Sequence, residues 1–97
     1  MEKEEILKEI VKIIRQYLPS DYQVLLFGSW AKGTALETSD LDIGINGPKK
    51  VDQEIMIKIK AGLGGIPTLR SVDIVDLNSV GGEFKTDILE HAQILNL

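Results

Sequence analysis

The chain has 97 residues, room for one domain built around one modest core. With 43% hydrophobic and 27% charged residues it matches ordinary globular usage, which excludes disordered and low-complexity classes. Eleven basic against fifteen acidic side chains give a net charge of −4, a balance that argues against a protein whose main work is gripping nucleic acid.

Taken in chain order, Ile6, Leu7, Ile10, Val11, Ile13, Ile14, Tyr17 and Leu18 recur at the three- and four-residue spacing of one helix face. Pro19 and Ser20-Asp21 close that helix. Gln23 to Phe27 is a short apolar run bounded by Gly28, the pattern of a buried strand. Ser29 to Lys32 leaves room for about one helical turn, with Gly33 as its stop, and Thr34 to Ser39 reads as loop. From Asp40 to Asn46, Leu41, Ile43 and Ile45 alternate with Asp40, Asp42 and Gly44, which makes a half-buried strand. After the Gly47-Pro48 turn, Val51, Ile55, Ile59 and Leu63 follow at intervals of four and predict a second long helix. Gly62, Gly64, Gly65 and Pro67 break the chain before a strand from about Ser71 to Leu77. A final helix is predicted to carry Phe84, Ile88, Leu89, Ala92 and Leu95 on one face. No repeat or linker separates these elements, so residues 1–97 read as a single domain.

Cysteine is absent, which removes disulfides, thiolate zinc sites and cysteine nucleophiles. His91 is the sole histidine and reads as a structural or surface residue. The charged start, Met1-Glu2-Lys3-Glu4-Glu5, does not resemble a signal peptide, and no apolar run approaches the roughly 20 residues of a membrane span. The expectation is a soluble cytoplasmic chain with no membrane contact. Lys49, Lys50, Lys58 and Lys60 form a charged patch that reads as a solvated helix face.

The informative stretch runs from Phe27-Gly28-Ser29 to Ser39-Asp40-Leu41-Asp42-Ile43. A Gly-Ser pair leaving a strand and opening a helix offers unpaired N–H groups and a hydroxyl, which can hold a phosphate. Asp40 and Asp42, two apart on one strand, project from the same face, where their charges repel. A divalent cation resolves that conflict, and the combination suggests magnesium with a nucleoside triphosphate. A third carboxylate is to be sought on another strand, and Val72-Asp73-Ile74-Val75-Asp76 offers two. If Val72 and Ile74 pack beneath the helices, parity turns Asp73 toward the face of Asp40 and Asp42 and leaves Asp76 on the core side or past the strand end.

Convergence of these residues also constrains topology. Gly28 ends its strand while Asp40 begins the next, so those strands must run antiparallel to meet at one edge. Asp40 and Asp73 both sit near strand starts, and a full helix lies between them, which fits a parallel pair with a crossover. The expected architecture is an α/β (α+β) fold with a three-stranded mixed sheet and its helices packed on one face.

These residues resemble the nucleotidyltransferases of the DNA polymerase β superfamily. That signature is Gly-Ser, a spacer of about ten residues, Asp-x-Asp or Asp-x-Glu, and a later acidic residue on the third core strand. Here it reads Gly28-Ser29, then Asp40-Leu41-Asp42, then Asp73, covering the core from about Gln23 to Asp76. The phrase with Gly33-Thr34-Ala35 is most similar to the minimal nucleotidyltransferases. The resemblance implies transfer of a nucleoside monophosphate, AMP from ATP, to an acceptor hydroxyl. It implies Asp40, Asp42 and Asp73 as catalytic ligands of two magnesium ions, with Gly28 and Ser29 on the departing phosphates. It also implies a small helical HEPN-type partner that the chain neutralises as an antitoxin, in a homo- or hetero-oligomer; stable nucleic acid binding is not expected, on the charge balance of the chain. Family members often carry Arg directly after Gly-Ser and again two residues on. Trp30 and Lys32 stand there instead; Lys32 can still supply charge to the triphosphate, whereas Trp30 reads as local packing. The rival reading is a non-catalytic module that neutralises or scaffolds a small helical partner by contact alone.

Overall fold

The computed structural model describes residues 2–28 and 40–95. The expected turn at Ser29–Lys32, the loop that follows it, and the side chains of Ser29, Trp30 and Lys32 lie outside the described residues. Helix α1 (Lys3–Arg15) leads to strand β1 (Gln23–Phe27), strand β2 (Leu41–Asn46), helix α2 (Gln53–Gly64) and strand β3 (Val72–Asp76). A 3-10 turn (Leu77–Ser79), helix α3 (Gly82–His91) and strand β4 (Gln93–Ile94) complete the order. Among the described residues no helix is long and apolar enough to cross a membrane.

The sheet is mixed, in the order β3-β2-β1-β4. β1 and β2 are antiparallel, with Phe27 opposite Asp42 and Leu25 opposite Gly44. β2 and β3 are parallel, with Asp42 opposite Asp73 and Ile45 opposite Asp76. A crossover through α2 joins them, as a parallel pair requires. This topology is the one expected, with one correction: the sheet has four strands, not three. The fourth arises because α3 stops at His91, and Ala92 turns extended (φ −72°, ψ 148°). Gln93 and Ile94 then pair antiparallel with β1, and the Leu95 N–H donates to the Val24 carbonyl at 2.8 Å. This satisfies backbone groups on the open edge of β1 and buries Leu95, two gains a continuing helix would forgo.

The expectation that every helix packs on one face also needs correction. α1 and α2 do share a face, where Ile6, Ile10 and Ile14 of α1 and Ile59 and Leu63 of α2 meet Val24, Leu26, Leu41, Ile43 and Ile45. Their axes come close at Gly62, where an added Cβ would crowd Ile13 Cγ2 at 2.9 Å. The opposite parity of β1 is apolar as well, so Leu25 and Phe27 need their own cover. Ile88 of α3 and Leu77 of the 3-10 turn supply it in a second, smaller core. A strand apolar on both parities is one buried on both faces.

Candidate functional site

The site is assembled at the end of the sheet where β1 finishes and β2 and β3 begin. Gly28 leaves β1 with φ +77°, a left-handed conformation that costs glycine little and side-chain-bearing residues more. Space forbids a side chain there too, because a Cβ on Gly28 would overlap Oδ2 of Asp42. The carboxylate of Asp42 therefore lies directly over the backbone that turns out of β1.

Register sets the other neighbours. Asp42 and Asp73 are Cα partners in a parallel pair, so their side chains leave the same face one strand apart. Asp40 precedes β2 by one residue and is exposed, as is Asp73, while Asp42 is half-buried. The pKa of Asp42 is raised above its ordinary value of 3.8, first by burial and then by the charges of Asp73 and Asp40. The three aspartates named from sequence thus share one electrostatic environment. Gly28 adjoins them; Ser29 and Lys32, the other residues named for substrate, lie outside the described part.

Asp76 goes elsewhere. It sits opposite Ile45, on the side of α1 and α2, and is only 7% exposed. Its carboxylate accepts from the Val51 N–H at 2.8 Å, the Asn78 N–H at 2.9 Å and the Ser79 hydroxyl at 3.4 Å. It fastens the segment before α2 to the end of β3, and its acceptor capacity is used on the protein itself.

The structure also brings in residues that the sequence reading assigned to no site. Phe84, Asp87, Ile88 and His91 of α3 line a hollow of about 130 Å³ with Phe27 and Gly28. Their spacing of three, one and three is that of one helix face, of which the sequence reading took Phe84 and Ile88 as core packing and His91 as a structural or surface residue. On the exposed side of that face, ligand atoms of Asp87, Glu90 and His91 lie within 4.8 Å of one another. His91 Nδ1, when it carries the proton, donates to the Asp87 carbonyl at 3.2 Å. Among the described residues the oxygens of Asp40, Asp42 and Asp73 do not draw together that closely. Their all-carboxylate donor set suits a hard divalent ion.

Residues 8–96 match the family described as polymerase beta, nucleotidyltransferase. The chain is similar to a protein from Haemophilus influenzae named probable protein adenylyltransferase MntA, with 34% identity over 76 residues, 78% of this chain and 67% of that one. It is also similar to protein adenylyltransferase MntA of Shewanella oneidensis, 32% identical over 75 residues. That match spans 73% of this chain but half the length of the relative. Among solved structures, a crystal structure of a toxin-antitoxin with AMP-PNP superposes with a TM-score of 0.73 at 25% identity, over 91% of this chain and 70% of that one.

Proposed function

The chain belongs to the polymerase beta nucleotidyltransferase family, and on that premise we propose that it transfers AMP from ATP to an acceptor hydroxyl on a small helical HEPN-type partner, acting as the antitoxin of the pair. The observation that carries this reading is Asp42 set directly opposite Asp73 and over Gly28, with Asp40 at the head of the same strand. The two relatives named protein adenylyltransferases support an adenylyl group and a protein acceptor, and the toxin-antitoxin with AMP-PNP supports an adenine nucleotide and a toxin partner.

In the reaction the acceptor oxygen bonds to the α-phosphorus as the bond from that phosphorus to the bridging oxygen breaks. Pyrophosphate departs, and the hydroxyl proton passes to solvent. Asp40, Asp42 and Asp73 would hold two magnesium ions, which neutralise the triphosphate and lower the pKa of the attacking hydroxyl when bound. Asp42, under strain from burial and like charge, is the carboxylate with most to gain from a cation. Gly28 keeps the backbone clear of side chains at the phosphate end, and Ser29 and Lys32 are assigned to the departing phosphates. Catalysis is then positioning and charge stabilisation, with no protein nucleophile. Such chemistry belongs in the cytoplasm, where ATP and magnesium are abundant.

The test is incubation with α-labelled ATP, magnesium and the co-encoded helical protein, followed by mass measurement of both chains. Label and an AMP increment on the partner, dependent on magnesium, are expected. A tight complex with no transfer to either protein would instead favour neutralisation by contact alone.

A further inference from the structure

Among the described residues no strand lies beyond β3, which forms one margin of the sheet. Its Val72, Ile74 and Asp76 face the α2 side, while Asp73 and Val75 face the other. α2 does not close its side completely. A hollow of about 560 Å³ between the two elements is lined by Lys50, Met56, Lys60, Ile74 and Asp76, among others. Beyond Lys60 a second hollow of about 300 Å³ continues past Val72. Lys60 borders both, so together they form a groove that follows β3 over its whole length. Its floor is half-buried and apolar, at Met56, Val72 and Ile74.

The groove also belongs to the positive part of the molecule. Residues 49–70 hold five of the eleven basic side chains and two of the fifteen acidic ones, a local charge of +3 in a chain of −4. Lys50 and Lys60 are exposed and, among the described residues, make no hydrogen bond or ion pair. Asp76, the carboxylate at the end of the groove, is already engaged by the Val51 and Asn78 N–H groups.

We infer that the β3 margin docks an extended acidic segment of a partner protein, which adds to the sheet as a fifth strand and lays its anionic side chains in this groove. An edge strand supplies main-chain hydrogen bonds, and pockets beside it select alternate side chains. Side chains of the added strand alternate between the two faces. Those on the α2 side meet Lys50 and Lys60, whereas those on the other side come beside Asp73 and must be neutral or basic. An acidic residue at every second position meets both demands. A second copy that continued the sheet across a two-fold axis would bring its own Lys50 and Lys60 to the same groove, where like charges repel. The inference makes no use of the transferase reading, because the groove lies on the face opposite Asp42 and Asp73.

The experiment uses the whole chain and three peptides of equal length. In one, glutamate alternates with threonine; in the next, glutamine alternates with threonine; the last is the glutamate peptide with proline in place of its central threonines. Calorimetry at low salt should show the glutamate peptide binding about tenfold tighter than the glutamine peptide, with the difference lost at high salt. Hydrogen exchange should show amides of β3 gaining protection with the glutamate peptide and not with its proline version. Lys50→Glu together with Lys60→Glu should abolish the preference for glutamate, with circular dichroism unchanged because both side chains are exposed. The same change of charge on α1, Lys8→Glu with Lys12→Glu, should leave the preference in place. Equal affinity of all three peptides, a preference undiminished by the Lys50 and Lys60 changes, or an equal loss in both double variants overturns the inference. So does full binding of the proline peptide, which makes the surface a charged patch with no added strand. Protection of β3 without peptide, in a dimer seen by sedimentation, gives the margin to a second copy and overturns it as well. Only binding is measured, so each of these outcomes leaves the transferase reading where it stands.

Discussion

β3 carries two aspartates three residues apart, and the two ends of that strand use them in opposite ways. At its start, Asp73 is exposed, and its charge, with that of Asp40, helps to raise the pKa of Asp42. At its end, Asp76 is buried, and backbone N–H groups from two separate segments point at its oxygens. A carboxylate whose acceptor capacity is filled by its own backbone is part of the scaffold. One left to repel its neighbours is kept for something that arrives later. The difference lies in parity and partners, not in residue type, and substitution should expose it.

The largest effect should come from Asp42→Asn. Losing the half-buried ligand should cut AMP transfer at least about a thousandfold, since several kcal/mol of charge stabilisation vanish at about 1.36 kcal/mol per decade. The thermal transition of the metal-free protein should survive. Retained transfer with a collapsed fold would place Asp42 with Asp76 and erase the contrast. Asp73→Asn should come next, with turnover falling roughly a hundredfold while triphosphate affinity, measured by calorimetry with magnesium, changes little.

Asp76→Ala should do the reverse. It strips partners from the buried Val51 and Asn78 N–H groups, and a loss of about 2–3 kcal/mol in denaturant unfolding is expected. Transfer per folded molecule should stay near wild type. A smaller effect sharpens the picture of the other end. Because the pKa of Asp42 is raised, the folded chain binds that proton more tightly than the unfolded chain does. Its contribution to metal-free stability is therefore full below the ordinary value of 3.8 and is lost as pH rises through the folded-state value. Thermal scans without metal should show this slope in wild type and not in Asp42→Asn, and magnesium should flatten it by favouring the ionised form.

Much of this was legible in the sequence. Alternation around Asp40, Leu41, Asp42 and Ile43 placed the carboxylates on one parity; convergence of Gly28 and Asp40 required one antiparallel pairing, and the helix between Asp40 and Asp73 fitted one parallel pairing. Parity also separated Asp73 from Asp76 on the strand. Two features were not legible. The pair Gln93–Ile94 is too short for any period to show, and Leu95 keeps helical spacing with Ile88 and Ala92, so the turn into β4 was hidden. The unbroken run Val24-Leu25-Leu26-Phe27 announced burial but not that two different layers would provide it. For the same reason Phe84 and Ile88 read as core packing and His91 as a structural or surface residue, although all three line a hollow with Gly28.

The position of β3 has one more consequence. The sheet has two margins, and the short β4 covers part of one. Among the described residues the other margin is β3, a five-residue strand, and a strand margin is the kind of surface on which a second chain can add itself as a neighbour. Asp73 projects there into solvent. A strand from another copy that approached in register would have to bring its own aspartate against a place already crowded with negative charge. The carboxylate assigned to chemistry thus also sets a charge against edge-to-edge pairing of copies of the protein.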